Sequence, residues 1–291
     1  MNKKHIYICS PSAPYDPKDF PATIKSNIRN LKKLGFEVTV SKHALDYHGN
    51  TSANITDRVS DLHEGFKNSK YDVVMALCGG WNSNEILPFL DYKLVKDNPK
   101  LFVGFSDMTT LGVNLWQKAN IQTIYGHTLT KFDLNETENY AQFVDVINDI
   151  NGFNGFTRKK INKKQVYRPG VMEGRLVGGC LAVLCWLLGT PYQLRVPEKE
   201  ILFLEDDEET NGYYWQMYLA HLKQAEYFEN ISGLVLGKVS KKTKFNRGAK
   251  FKDILKIIFK DYKFPILINA DIGHIENPIC IPYGLKYRLS L

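Results

Sequence analysis

Five short, largely apolar runs recur along the first half of the chain, and a stretch with helical spacing separates each from the next. This alternation constrains the fold more than any other feature. The runs are HIYICS, FEVTVS, YDVVMAL, KLFVGF and IQTIYG; between them lie DFPATIKSNIRNLKKLG, which closes on Gly35, then TDRVSDLHEGFKN, SNEILPFLDYKLVKD and MTTLGVNLWQKAN. Apolar runs of this length read as strands buried on both faces, and helical crossovers between them require a parallel sheet covered on each side. The pattern predicts a doubly wound α/β domain. The first strand is followed by SPSAPYDP and not by a G-x-G-x-x-G turn, so no dinucleotide site and no cofactor is expected.

A chain of 291 residues exceeds what one small core needs. The character changes near residue 150, where NGFNGFTRKKINKKQVYRPG is polar and basic. The expected division is a first domain over 1–155, a linker over 156–172 and a second domain over 173–291. In the second domain RLVGG, ILFLE, GLVLGKVS and PILINADIG are strand-like, and LAVLCWLLG, YYWQMYLAHLKQAEYF and FKDILKIIFKDY are helical. The apolar run 181–188 falls well short of the ~20 residues a membrane span needs. The N-terminal apolar stretch IYIC ends at a proline too soon for a signal peptide, so a cytoplasmic protein without a membrane partner is expected. Five widely spaced cysteines without C-x-x-C read as reduced core residues. The net charge of +7 gathers in RKKINKK and KVSKKTKFNRGAKFK; without a known nucleic-acid motif these read as solvated loops, and no nucleic-acid partner is expected.

Chemistry concentrates where strands end. In LFVGFSDMTT, Ser106 follows a buried strand and opens a helix, where its hydroxyl and the first helical amides, beginning with Asp107, face the crevice of an open sheet. A serine there also serves simply as an N-cap. One strand earlier, Gly79 and Gly80 allow close backbone approach, and Asn82 and Ser83 follow, either as crevice residues or as caps of a tight turn. A nucleophilic serine needs a base, and His127 and His274 both stand just beyond strand-like runs. His274, in a polar loop after glycine, is the better placed. Glu205, the first polar residue after ILFL, is placed to orient the imidazole, while Asp207 and Glu208 read as a helix N-terminus. A metal arrangement of His274, Glu276 and His127 lacks a third regularly spaced ligand, so no metal is expected. A non-catalytic binder of peptide or nucleotide-like ligands is the other alternative.

The segments GGWNSNEILPFLDY, LFVGFSDMTTLGVN, GRLVGGCLAVLCWLLGTPY, ILFLEDDEET and ADIGHIENPICIPYG, in this order, resemble the LD-carboxypeptidase family of serine peptidases, which includes microcin C self-immunity peptidases. The resemblance spans nearly the whole chain. It implies a Rossmann-like N-terminal domain, a C-terminal domain containing a β-barrel, a site between them and a homodimer. It places the nucleophile on Ser106, the acid on Glu205 and the base on His274, with oxyanion amides at Asp107 and Gly80. The implied substrate is a small peptide or peptidyl-nucleotide: either the L-to-D amide that releases terminal D-alanine from murein tetrapeptides, or the bond joining an aminoacyl or peptidyl group to a nucleotide-like moiety.

The departures concern substrate contacts. Cys180 stands where relatives commonly carry Asn, His127 where they often carry Pro, and Glu209 where the immunity branch tends to place Lys. The last inclines the expectation toward murein peptides. Asn82, Ser83, Cys180 and Glu209 are candidate substrate contacts, and Arg175 or Arg168 is a candidate for a substrate carboxylate.

Overall fold

The computed structural model describes residues 3–16, 24–132, 137–197, 199–207, 210–275 and 278–291. In the first half, strands β1 (His5–Cys9), β2 (Glu37–Val40), β3 (Val73–Ala76), β4 (Leu101–Gly104) and β5 (Thr123–Tyr125) alternate with helices α1 (Ile24–Lys33), α2 (Ile55–Lys67), α3 (Tyr92–Asp97) and α4 (Thr109–Ala119). All residues of β1, β3 and β5 are buried, as strands covered on both faces require. The run SNEILPFLDYKLVKD does not form one helix. Pro88, which has no N–H to donate, lies in a 3₁₀ turn over Ser83–Phe89, and α3 begins afresh behind its cap, Asp91.

The second half continues with α5 (Thr137–Asn148), β6 (Val166–Arg168), β7 (Val171–Cys180), α6 (Leu181–Leu187), β8 (Ile201–Glu205), α7 (Gly212–Gln224), β9 (Gly233–Gly237), α8 (Phe251–Phe259), β10 (Ile266–Ala270), β11 (Ile281–Pro282) and β12 (Lys286–Ser290). These strands and the earlier ones make two six-stranded sheets, ordered β11-β5-β4-β3-β1-β2 and β12-β7-β8-β9-β10-β6. In the second, β7 to β10 run parallel, while β12 and β6 pair antiparallel at its two edges. It is a curled half-barrel. Among the described residues no helix is long and apolar enough to cross a membrane.

Two segments interlock the halves. The expected linker contains β6, which pairs with β10, because Val166 and Arg168 lie in register with Leu267 and Ile266. Near the C-terminus, β11 crosses over and pairs antiparallel with β5 of the first sheet, Ile281 beside Tyr125. One continuous apolar core consequently contains Ile8, Val103 and Tyr125 together with Phe203, Leu204 and Tyr283.

Phe203 is fully buried, with its ring 5.5 Å from Tyr125 and 5.7 Å from Tyr283. Truncation there leaves a cavity at the junction of the sheets. Phe203→Ala is expected to lower unfolding free energy by about 3–5 kcal/mol in chemical denaturation.

Candidate active site

The carboxyl ends of β4, β5 and β8 and the loop after β10 meet at one place. Beyond β4 the chain turns at Ser106, whose φ of 62° is left-handed, and enters a short 3₁₀ turn leading into α4. A non-glycine residue in this region carries strain of order 1–2 kcal/mol and points to a constrained function. The turn fits because two neighbours lack side chains: a Cβ on Gly104 would stand 2.8 Å from Met108 Cβ, and one on Gly79 would stand 3.1 Å from Ser106 Cβ.

His274 Nε2 lies 3.0 Å from Ser106 Oγ, and its Nδ1 lies 2.8 Å from Glu205 Oε2. An ionised carboxylate only accepts, so Nδ1–H donates to Glu205, and in the neutral ring Nε2 is left to accept the Ser106 hydroxyl proton. The backbone N–H of His274 also donates to Glu205 Oε2, at 3.0 Å. Gly273, at φ 92°, makes this approach possible, since a Cβ there would fall 1.9 Å from Oε2. The Phe105 ring, 4.8 Å from the imidazole, packs against it.

Glu205 is fully buried. Burial pushes its carboxyl upward, but the His274 charge and the hydrogen bonds from His274 and Tyr125 outweigh this and hold it below the usual range. For His274, burial pulls downward and the Glu205 charge and hydrogen bond outweigh it, so the imidazole lies above its ordinary 6.5. Asp206, the next residue, is pushed up to about 7, first by burial and then by the charge of Glu205.

Asp107 directly follows Ser106, and Gly80 follows Gly79, whose backbone closely approaches the Ser106 side chain. The Asp107 carboxylate is buried and accepts from Ser12 Oγ at 2.6 Å and from the Ser83 amide at 2.9 Å, tying the loop after β3 to the turn after β4. Gly80 has φ 142°, and a Cβ would meet Ser12 Oγ at 2.4 Å. Among the described residues, no acceptor takes the Gly80 amide.

The other predicted contacts divide. Asn82 flanks the Gly80 loop, its amide donating to Ser12 Oγ at 3.0 Å. Cys180 lies at the same level as Glu205 through the β7–β8 register, buried, with its amide donating to Thr109 Oγ1 at 3.0 Å and its thiol 3.6 Å from Asp206 Oδ1. Ser83 is fully buried, and its hydroxyl lies 2.9 Å from the Asp107 carbonyl and 2.8 Å from Thr110 Oγ1, so it braces the loop instead of facing the crevice. Arg175 is not brought to the cluster: it sits five residues back along β7, clasped by Glu200 at 2.6 Å and stacked over Trp116. Arg168 is likewise engaged, donating to the carbonyls of Phe264 and Phe259. Glu209 and Glu276 lie outside the described residues. His127 is not a crevice residue. It is 2% exposed in a nest of Phe132, Tyr140 and Phe143, and burial lowers it to about 4.

Two contributors escape the sequence reading. Ser12 is the buried hub between Asp107 and the Gly80 loop. Tyr125 closes β5 in register with Gly104; its hydroxyl donates to Glu205 Oε1 and accepts the Ser106 amide at 3.2 Å. Asking what stands at the end of every strand, and not only those ending in a charged or nucleophilic residue, would have singled it out.

Sequence profiles of the LD-carboxypeptidase N-terminal and C-terminal domains match residues 6–126 and 173–289. The chain belongs to the LD-carboxypeptidase family, a family of peptidases. Among its relatives, a probable murein peptide carboxypeptidase of Bacillus subtilis is 28% identical over 301 residues, covering 98% of this chain and 88% of the relative. The structure of MccF in complex with glutamyl sulfamoyl guanosine superposes with a TM-score of 0.87 at 23% identity, covering 100% of this chain and 94% of that one. A muramoyltetrapeptide carboxypeptidase from Oxalobacter formigenes gives 0.83 at 24% identity, over 99% and 95% of the two chains. At these identities the two structures establish a shared fold.

Because Gly273 admits Glu205 to the imidazole, Gly273→Ala is expected to displace His274 and lower kcat at least ~10²-fold, the scale of a misplacement near 1 Å. Steady-state hydrolysis together with a thermal melt would separate displacement from unfolding.

Proposed function

We propose that the protein is a serine carboxypeptidase that hydrolyses the L-to-D amide of murein tetrapeptides and releases terminal D-alanine. The observation that carries the reading is the unbroken hydrogen-bonded chain from Ser106 through His274 to Glu205, at 3.0 and 2.8 Å. The murein preference is supported by the Bacillus subtilis relative and by Glu209, an acid where the immunity branch tends to carry lysine.

In this mechanism His274 Nε2 takes the Ser106 proton as Oγ attacks the scissile carbonyl, and Glu205 stabilises the imidazolium without taking its proton. The tetrahedral oxyanion forms beside the amides of Asp107 and Gly80, each such donor being worth about 3 kcal/mol in comparable sites. His274 then protonates the leaving amine of D-alanine. Water, deprotonated by the same imidazole, attacks the acyl-enzyme and frees Ser106. The Ser106 amide donates to Tyr125, which leaves the oxyanion to the other two amides.

The test is mass spectrometry of a murein tetrapeptide and of an aminoacyl sulfamoyl adenosine, each incubated with wild type and with Ser106→Ala. D-Alanine release by wild type alone supports the proposal. Cleavage of the adenylate analogue alone would move the protein to the activity that MccF, solved with glutamyl sulfamoyl guanosine, brings to mind. Cleavage of neither would remove the catalytic reading.

His274 must be neutral to act as base, so kcat/KM is expected to rise with pH through a limb above 6.5. In Glu205→Gln the main influence raising the imidazole is gone. The limb should then move to lower pH while the plateau falls about 10³–10⁴-fold, as when a triad acid is made neutral elsewhere. An unmoved limb would show that Glu205 does not set the base.

A further inference from the structure

We propose that Tyr125 is a positioning residue of this site, one phenol that holds the backbone of the nucleophile's turn and the carboxylate of the acid at the same time. The inference rests on the catalytic reading above for its consequence, and on geometry for its substance.

Tyr125 stands at the last position of β5, and its hydroxyl is the hinge of two hydrogen bonds. Its oxygen accepts the Ser106 N–H at 3.2 Å, and its proton goes to Glu205 Oε1. The direction of both bonds is set by chemistry: a backbone amide only donates and a carboxylate only accepts, so the phenol must accept from the first and donate to the second. Each end secures something that is unstable alone. Ser106 is a non-glycine residue at φ 62°, and the bond to Tyr125 fastens the amide of that strained residue. Glu205 is a fully buried carboxylate whose Oε2 is occupied by His274; Oε1 would be without a donor if the phenol were absent.

The bridge also spans the two sheets. Ser106 lies in the turn just past β4 and Tyr125 ends β5, both strands of the first sheet, while Glu205 ends β8 of the second. The ring is pinned by Phe105, 6.3 Å away and just past β4 of the first sheet, and by Phe203, 5.5 Å away in β8 of the second. The distance between the nucleophile's backbone and its acid is therefore set by one rigid side chain packed between both sheets. A strong donor on Glu205 also drains charge from the carboxylate, which tempers its pull on His274. The titratable groups facing this cluster are Glu205, Asp206, Asp207, His274 and the Cys180 thiol.

Tyr125→Phe keeps the ring and removes both bonds. Two substrate-independent readouts apply: the rate at which a fluorophosphonate labels Ser106, and the pH titration of the His274 ring followed by NMR. The variant is expected to label about 10- to 100-fold more slowly, with its imidazole titrating at higher pH because Glu205 has regained charge. Replacing Tyr125 with 3-fluorotyrosine, a more acidic donor with the same contacts, should move the titration the opposite way. Labelling within twofold of wild type, or an imidazole titration unmoved in both variants, overturns the proposal. Should wild type fail to label at Ser106 while the titrations still move oppositely, the nucleophile assignment fails and the Tyr125 coupling stands.

Discussion

The structure is organised around a carboxylate with no access to water. Glu205 ends a wholly buried strand, and an ionised group there is tolerable only if both oxygens are occupied by donors and a positive charge is within reach. His274 supplies two donors, from ring and backbone, and Tyr125 supplies the third. Because these donors come from different sheets, satisfying one carboxylate draws the halves of the molecule together. Two glycines follow from the same requirement: a Cβ on Gly237 would stand 2.7 Å from Glu205 Cβ, and one on Gly273 would overlap Oε2.

A second constraint is the conformation of Ser106. The left-handed turn lifts the hydroxyl out of the line of β4 toward His274, and it is held from three sides: Gly104 and Gly79 leave room, Tyr125 takes the amide, and Asp107 ties the turn to Ser12 and to the loop after β3. Groups fixed before substrate arrives need little reorganisation during the reaction, which is how such sites gain most of their advantage over water. Asp206, buried beside Glu205 in the acidic run at the end of β8, is pushed up to about 7, by burial first and then by the charge of Glu205.

Much of the fold was legible in the chain. Buried strands in a parallel sheet are continuous apolar runs, and helices carry a 3.6-residue period, so β1 to β5 and β7 to β10 fall where the pattern places them. Irregularities were less visible. Pro88 breaks what periodicity reads as one helix, and the strands β6 and β11, three and two residues long, are too short to show a period at all. Among site residues, Ser106, Glu205 and His274 could each be singled out as polar groups just past apolar runs. The same logic put His127 forward, and Arg175 was a candidate for a substrate carboxylate; His127 is instead enclosed by three aromatic rings, and Arg175 is held by Glu200 midway along its strand.

By itself the sequence determined most of the elements, the parallel arrangement of β1 to β5 and the small set of polar groups that could act, because hydrophobic period, glycine placement and strand ends are local properties. Only the tertiary structure decided which of those groups meet. Ser106 and His274 are 168 residues apart, and their 3.0 Å separation depends on β11 crossing to the first sheet, on the register of β7 with β8 and on one phenol lodged between the layers. Such contacts arise from packing between distant segments, and no periodicity in either segment records them.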